Sequence, residues 1–160
     1  MEKTLIIGFG NLLKGDDGAG VHLVGKLAGC DLPAEVELID GGVNSFAALA
    51  TIHSAAQAIL IDSMAGGGAP GTIYRLTKEQ LAALPASPAL SLHEVSLADS
   101  LHLAERMGAL PPVLMYGSEP ATLELTMQLS QPVALAVDKV IGFIQADLGS
   151  IISRKGYECV

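Results

Sequence analysis

Half of the 160 residues are apolar and 16% are charged, so one domain with a full hydrophobic core is expected and a disordered or fibrous chain is excluded. Nine Lys and Arg against seventeen Asp and Glu leave a formal charge of -8. That argues against nucleic-acid binding and against an anionic membrane surface, because both need a positive field; a cationic metal or a basic peptide suits it better.

Short β-branched runs alternate with segments of helical period, the pattern of βαβ units and of a sheet covered on both faces. The expected fold is a single three-layer α/β domain over residues 1–150, with a mostly parallel twisted sheet between helices and a tail at 151–160. Strands are expected at 5–8, 36–39, 58–61 and 113–116. The alternating segment 71–76 follows the turn-rich Gly66-Gly67-Gly68-Ala69-Pro70 and reads as an edge strand, for which an antiparallel orientation is allowed. Helices are expected at roughly 18–28, 45–54, 78–84, 93–107 and 132–148. In the last, Val133, Val137, Val140, Ile141, Ile144 and Leu148 form one apolar stripe, Ser130 reads as the cap, and Pro132 falls in the first turn where its missing N–H costs little. The uncharged stretch 41–61 contains Asn44, Ser45, Thr51, His53, Ser54 and Gln57 and is poor as a membrane span. No signal peptide is expected ahead of the first strand, and Cys30 and Cys159 do not make a Cys-rich zinc site. A cytoplasmic monomer with reduced thiols is expected.

The chemistry begins in Gly8-Phe9-Gly10-Asn11-Leu12-Leu13-Lys14-Gly15-Asp16-Asp17-Gly18-Ala19-Gly20, where a strand enters a glycine-rich loop that opens a helix. Leu13 stands where a dinucleotide fingerprint needs its third glycine, and Gly15 is followed by Asp16-Asp17 rather than by Lys and Ser or Thr. Two carboxylates at a helix start repel an anion and suit a cation. One aspartate alone is explained as a cap or as a first-turn residue favoured by about 0.3–1 kcal/mol, but Asp16 and Asp17 cannot both be the cap. Asp62 ends the third strand, at the sheet edge where open α/β folds bind ligands. His93 opens the fourth helical segment, whereas His22, His53 and His102 read as structural. Together Asp17, Asp62 and His93 would form an O,O,N site with open positions, suited to a divalent transition metal, provided that three segments converge. There is no H-E-x-x-H, no G-x-S-x-G and no persuasive Cys–His pair.

The opening segment resembles the G-x-G-N-x4-D-[DE]-G-x-G motif of the hydrogenase maturation endopeptidases, which remove the C-terminal extension of the [NiFe]-hydrogenase large-subunit precursor. Asp40-Gly41-Gly42 resembles that family's D-G-G turn. Ile61-Asp62, Ala69-Pro70-Gly71-Thr72, His93 before Leu97-Ala98-Asp99, and Gly117-Ser118-Glu119-Pro120 follow in the family's order. The resemblance implies a nickel-dependent endopeptidase in which Asp17, Asp62 and His93 bind nickel carried by the precursor, and in which Asp40, Gly41 and Gly42 bear on substrate choice. Val43 stands where some members have Thr, and Leu125-Thr126-Met127-Gln128-Leu129-Ser130 departs from a glycine-richer stretch. Asp16 and Asp40 are candidates for orienting water or peptide, and no nucleophile is assigned. Two rival readings stand beside it: a non-enzymatic nickel-binding chaperone or checkpoint, and a nucleotide-binding module supported by the glycine loop alone.

Overall fold

A computed structural model describes residues 2–84, 97–108 and 110–154. Among them, strands β1 (Thr4–Phe9), β2 (Val36–Gly42), β3 (Gln57–Ser63), β4 (Ile73–Thr77) and β5 (Val113–Ser118) form a sheet in the order β2-β1-β3-β5-β4. The pairings of β1 with β2, β1 with β3 and β3 with β5 are parallel, and β4 closes one edge antiparallel to β5. The helices are α1 (Ala19–Leu27), α2 (Ser45–Leu49), α3 (Lys78–Ala82), α4 (Leu97–Arg106) and α5 (Gln131–Arg154).

Strand β1 is buried along its whole length because both of its faces are covered. Ile6 packs with Leu23, Leu27, Val137 and Ile144 under α1 and α5, while Leu5, Ile7 and Phe9 pack with Leu49, Ile52, Leu81 and Leu101 on the other side. These two clusters make the expected three layers. The Tyr116 hydroxyl donates to Asp147 at 2.6 Å and accepts from Arg75 Nε at 3.2 Å, so β4, β5 and α5 are joined at one point.

Two expectations change. The helix expected over 45–54 stops at Leu49 and resumes as a 3-10 turn, Ile52–Ser54. The Thr51 and Ser54 hydroxyls donate back to the Ala48 and Thr51 carbonyls, the competition that weakens helices at such residues. Ser130, at the start of α5, donates its hydroxyl to Asp16 at 2.8 Å and so ties the helix to the loop after β1. Helix α5 also runs on to Arg154, through the first residues of the expected tail, with no proline after Pro132 to stop it. Of the helix expected over 93–107, positions 93–96 lie outside the described residues.

The chain passes from β1 to β2 on one side and to β3 on the other, so the carboxyl ends of β1 and β3 border the crevice at the topological switch point. Helix α1 starts hard against that edge. A Cβ on Gly20 would collide with the carbonyl oxygens of Ile61 and Phe9. The glycines of the opening motif are thus spacers that seat α1 on two strands. Gly20→Ala should lower stability by about 1–3 kcal/mol through overpacking. Gly25→Ala, at an exposed position of α1 with open space around it, should raise stability by about 0.5–1 kcal/mol. Thermal unfolding of the two variants side by side checks both signs.

Candidate metal-binding cleft

A cleft of about 690 Å³ opens at the switch point. The loop after β1, the turn after β2 and the first residues of α2 line it, and Asp17, Asp62 and Lys14 supply its charged groups. The structure therefore brings together two of the three expected ligands. The third, His93, lies outside the described residues, four positions before Leu97, which also lines the cleft. Among the described residues no group of three His, Cys, Asp or Glu side chains forms a metal cluster.

Ser63, the last residue of β3, holds both carboxylates. Its N–H donates to Asp62 Oδ1 at 2.8 Å and its hydroxyl donates to Asp17 Oδ1 at 3.2 Å. Asp17 Oδ2 accepts the N–H of Asn11 at 3.0 Å, so this side chain binds across the loop rather than capping α1. Burial raises the Asp62 carboxyl to about 7, against the Ser63 N–H that lowers it, and the neighbouring Asp17 charge raises it further. A cation between the two carboxylates would relieve both the desolvation and the repulsion. The donor set fits a divalent ion.

Asp16 is a different kind of aspartate. It has no exposed surface, and its carboxylate accepts the N–H groups of Ala121, Thr122 and Ser130 together with the Ser130 hydroxyl, all within 2.7–3.1 Å. Burial pushes its carboxyl up, but the hydrogen bonds from Ser130, Ala121 and Thr122 outweigh that and hold it below the usual carboxylate value. The expectation that Asp16 orients water or peptide is corrected on this ground, because a saturated carboxylate without surface touches no ligand in the cleft. Asp40 is exposed, and its Oδ1 accepts the Gly42 N–H at 2.9 Å. The pairing of β1 with β2 slips at this point, so that Phe9 faces Gly42 and Gly41 is the extra residue. Gly41 lies against the Phe9 ring, and Gly42 takes φ 49°, which explains the two glycines of the D-G-G turn.

The nucleotide reading loses its physical basis in the same loop. Phosphate cradles need free amides. Here the N–H groups of Gly10, Gly15 and Asp16 donate to the carbonyls of Gly42, Thr126 and Thr122, and those of Asn11 and Leu13 donate to the side chains of Asp17 and Asn11. At Gly10, with φ 129°, a Cβ would strike the Asp17 carbonyl, so the loop is closed on itself. Sequence reasoning missed Ser63 and Lys14. A serine directly after a strand-terminal aspartate was the available signal for the first, and nothing in the spacing marked the second.

A sequence model of the hydrogenase maturation protease family matches residues 21–147. The chain is 30% identical over 149 residues to the hydrogenase 2 maturation protease of Escherichia coli, covering 91% of this chain and 90% of that protein. It is 33% identical over 125 residues to a hydrogenase expression/formation protein of Rhodobacter capsulatus, spanning 77% of this chain but 60% of that protein's length. The solved structure of a hydrogenase maturating endopeptidase from Escherichia coli superimposes with a TM-score of 0.81 at 29% identity, over 92% of this chain and 93% of that one. No helix among the described residues is long and apolar enough to cross a membrane.

Two stability measurements test these assignments without a substrate. The Asp62 carboxyl titrates near 7 in the folded protein against an ordinary 3.8, so the protonated form is favoured by folding and stability is lost as pH rises from about 4 to 7. In metal-free buffer, Asp62→Asn should exceed the wild type by about 1–2 kcal/mol at pH 8, a value discounted for the carboxyl's remaining contact with water, and should match it at pH 4. Asp16→Ala should cost about 3 kcal/mol or more at pH 7, since it leaves three amides and a hydroxyl unpaired. Chemical denaturation at the stated pH values checks both.

Proposed function

Because the chain belongs to the hydrogenase maturation protease family, we propose that it is a cytoplasmic, monomeric endopeptidase that removes the C-terminal extension of a nickel-loaded [NiFe]-hydrogenase large-subunit precursor. The observation that carries this reading is the Asp17 and Asp62 pair: one carboxylate from the turn that opens α1 and one from the end of β3 in one cleft, with electrostatics that a cation would satisfy. Asp17 and Asp62, with His93 as the third donor, grasp the nickel that the precursor brings, so the ion is part of the substrate. Two oxygens and one imidazole leave coordination positions for the precursor's own ligands.

Bound there, the ion supplies a fixed point of recognition and Lewis acidity toward a peptide carbonyl. The remaining work falls to the chain. Ser63 keeps both carboxylates aimed through its N–H and hydroxyl. Asp16 acts at one remove, by fixing the loop that carries Asp17 against residues 121–130. Asp40, Gly41 and Gly42 form a lip that bears on which precursor is accepted, and Asp40, being exposed, is the acid available there to orient a peptide or water.

A nickel-binding checkpoint that inspects the precursor without cutting it is the second reading. It draws on the same Asp17 and Asp62 pair, which would hold a nickel ion whether or not a peptide is cut. Mass spectrometry of nickel-loaded and nickel-free precursor separates the two readings. The wild type should shorten only the loaded precursor. Asp17→Asn, Asp62→Asn and His93→Ala should each slow cleavage by roughly a hundredfold or more while the fold is kept. Stable binding of the loaded precursor without any shortening would favour the checkpoint.

A further inference from the structure

The loop between β5 and α5 turns its apolar side chains to solvent. Leu123 is 50% exposed, Leu125 87% and Met127 60%, and Leu13 beside them is 54% exposed. Slackness does not explain this arrangement. The Thr122 and Thr126 hydroxyls accept the N–H groups of Glu124 and Gln128, and Thr126 exchanges backbone hydrogen bonds with Leu13 and Gly15. The Asp16 carboxylate fastens Ala121, Thr122 and Ser130. A loop tied at so many points keeps its leucines outward. The amides of Leu123, Leu125 and Met127 have no hydrogen-bond partner among the described residues.

We propose that this loop face is a second docking wall for the precursor, gripping an apolar stretch that sets a basic residue against Glu124 while the cleft holds the nickel. The inference rests on the processing reading given above. Its surface is continuous with the cleft: Lys14 lines the cleft and pairs with Thr126, and Leu13 joins the two. Its charge is simple. Of the acidic residues in Glu119-Pro120-Ala121-Thr122-Leu123-Glu124-Leu125, Glu119 is buried against the Tyr74 hydroxyl and the Gly66 amide, which leaves Glu124 exposed at the centre of the patch. The patch carries Glu124 at its centre and Lys14 at its cleft edge, on a chain of net charge -8, and complements a segment that is apolar and sets a basic residue opposite Glu124.

A wall that holds substrate and transition state alike contributes to KM and not to kcat. With a nickel-loaded precursor that the wild type cleaves, a protein carrying Leu125→Ser and Met127→Ser should show KM raised about tenfold or more with kcat within about twofold. Its Tm should match the wild type, because both side chains are exposed. Leu135→Ser, on exposed α5 surface, should leave KM unchanged. Glu124→Lys should raise KM several-fold at low ionic strength, with the difference shrinking in about 0.5 M salt. An unchanged KM in the double variant, with wild-type cleavage intact, would overturn the docking wall. A wild type that leaves the loaded precursor uncut would instead overturn the processing reading and the wall with it.

Discussion

The buried Asp16 carboxylate, which takes hydrogen bonds from three backbone amides and a serine hydroxyl, ties the loop after β1 to the loop before α5. With that tie in place the next residue, Asp17, faces the opposite way and lines the cleft with Asp62. Two adjacent like charges at the opening of a helix are costly unless their environments differ. Here they differ as far as the fold allows. Asp16 is saturated by its donors and held ionised, and Asp17 lies in the cleft with one amide and one hydroxyl, beside a half-buried Asp62 that is pushed toward its neutral form. Carboxylates on one sheet edge thus divide into a structural anchor and a pair in want of a cation.

The glycine loop gains its meaning from the same packing. In phosphate-binding folds a strand–loop–helix turn leaves amides free for an anion. In this protein the amides are used by neighbouring carbonyls and by Asp17 and Asn11, and the glycines make room for α1 against Phe9 and Ile61. The architecture places a cleft at the switch point, and Asp17 and Asp62 in its lining suit a ligand of the opposite sign to a phosphate. The proposed function agrees with that sign, since a nickel-loaded precursor would bring a divalent cation to the site.

Much of this was legible in the sequence because it depends on local pattern. Continuous apolar runs such as Leu5-Ile6-Ile7 announced parallel strands covered on both sides, and alternation over 71–76 announced the edge strand β4. The convergence of Asp17 and Asp62 followed from the rule that ligands sit at the carboxyl ends of strands. What escaped depends on long-range contacts. Asp16 looked like a twin of Asp17 until Ser130, 114 residues away, was seen to saturate it. Ser63 went unassigned because its bond to Asp17 exists only once β1 and β3 are side by side. The end of α2 was lost to Thr51 and Ser54 bonding back to the chain, a choice that helical periodicity does not register.

The proposed cation site lies in the cleft between β1 and β3, on Asp17 and Asp62. It is tested most directly by a crystal structure of the protein soaked with Ni²⁺, with the ion located by its anomalous scattering at the nickel edge. One strong peak is expected, in direct coordination with the carboxylates of Asp17 and Asp62 and with the imidazole of His93. A peak seated elsewhere on the molecule, with these carboxylates left in hydrogen bonds to Ser63 and Asn11 alone, would contradict it.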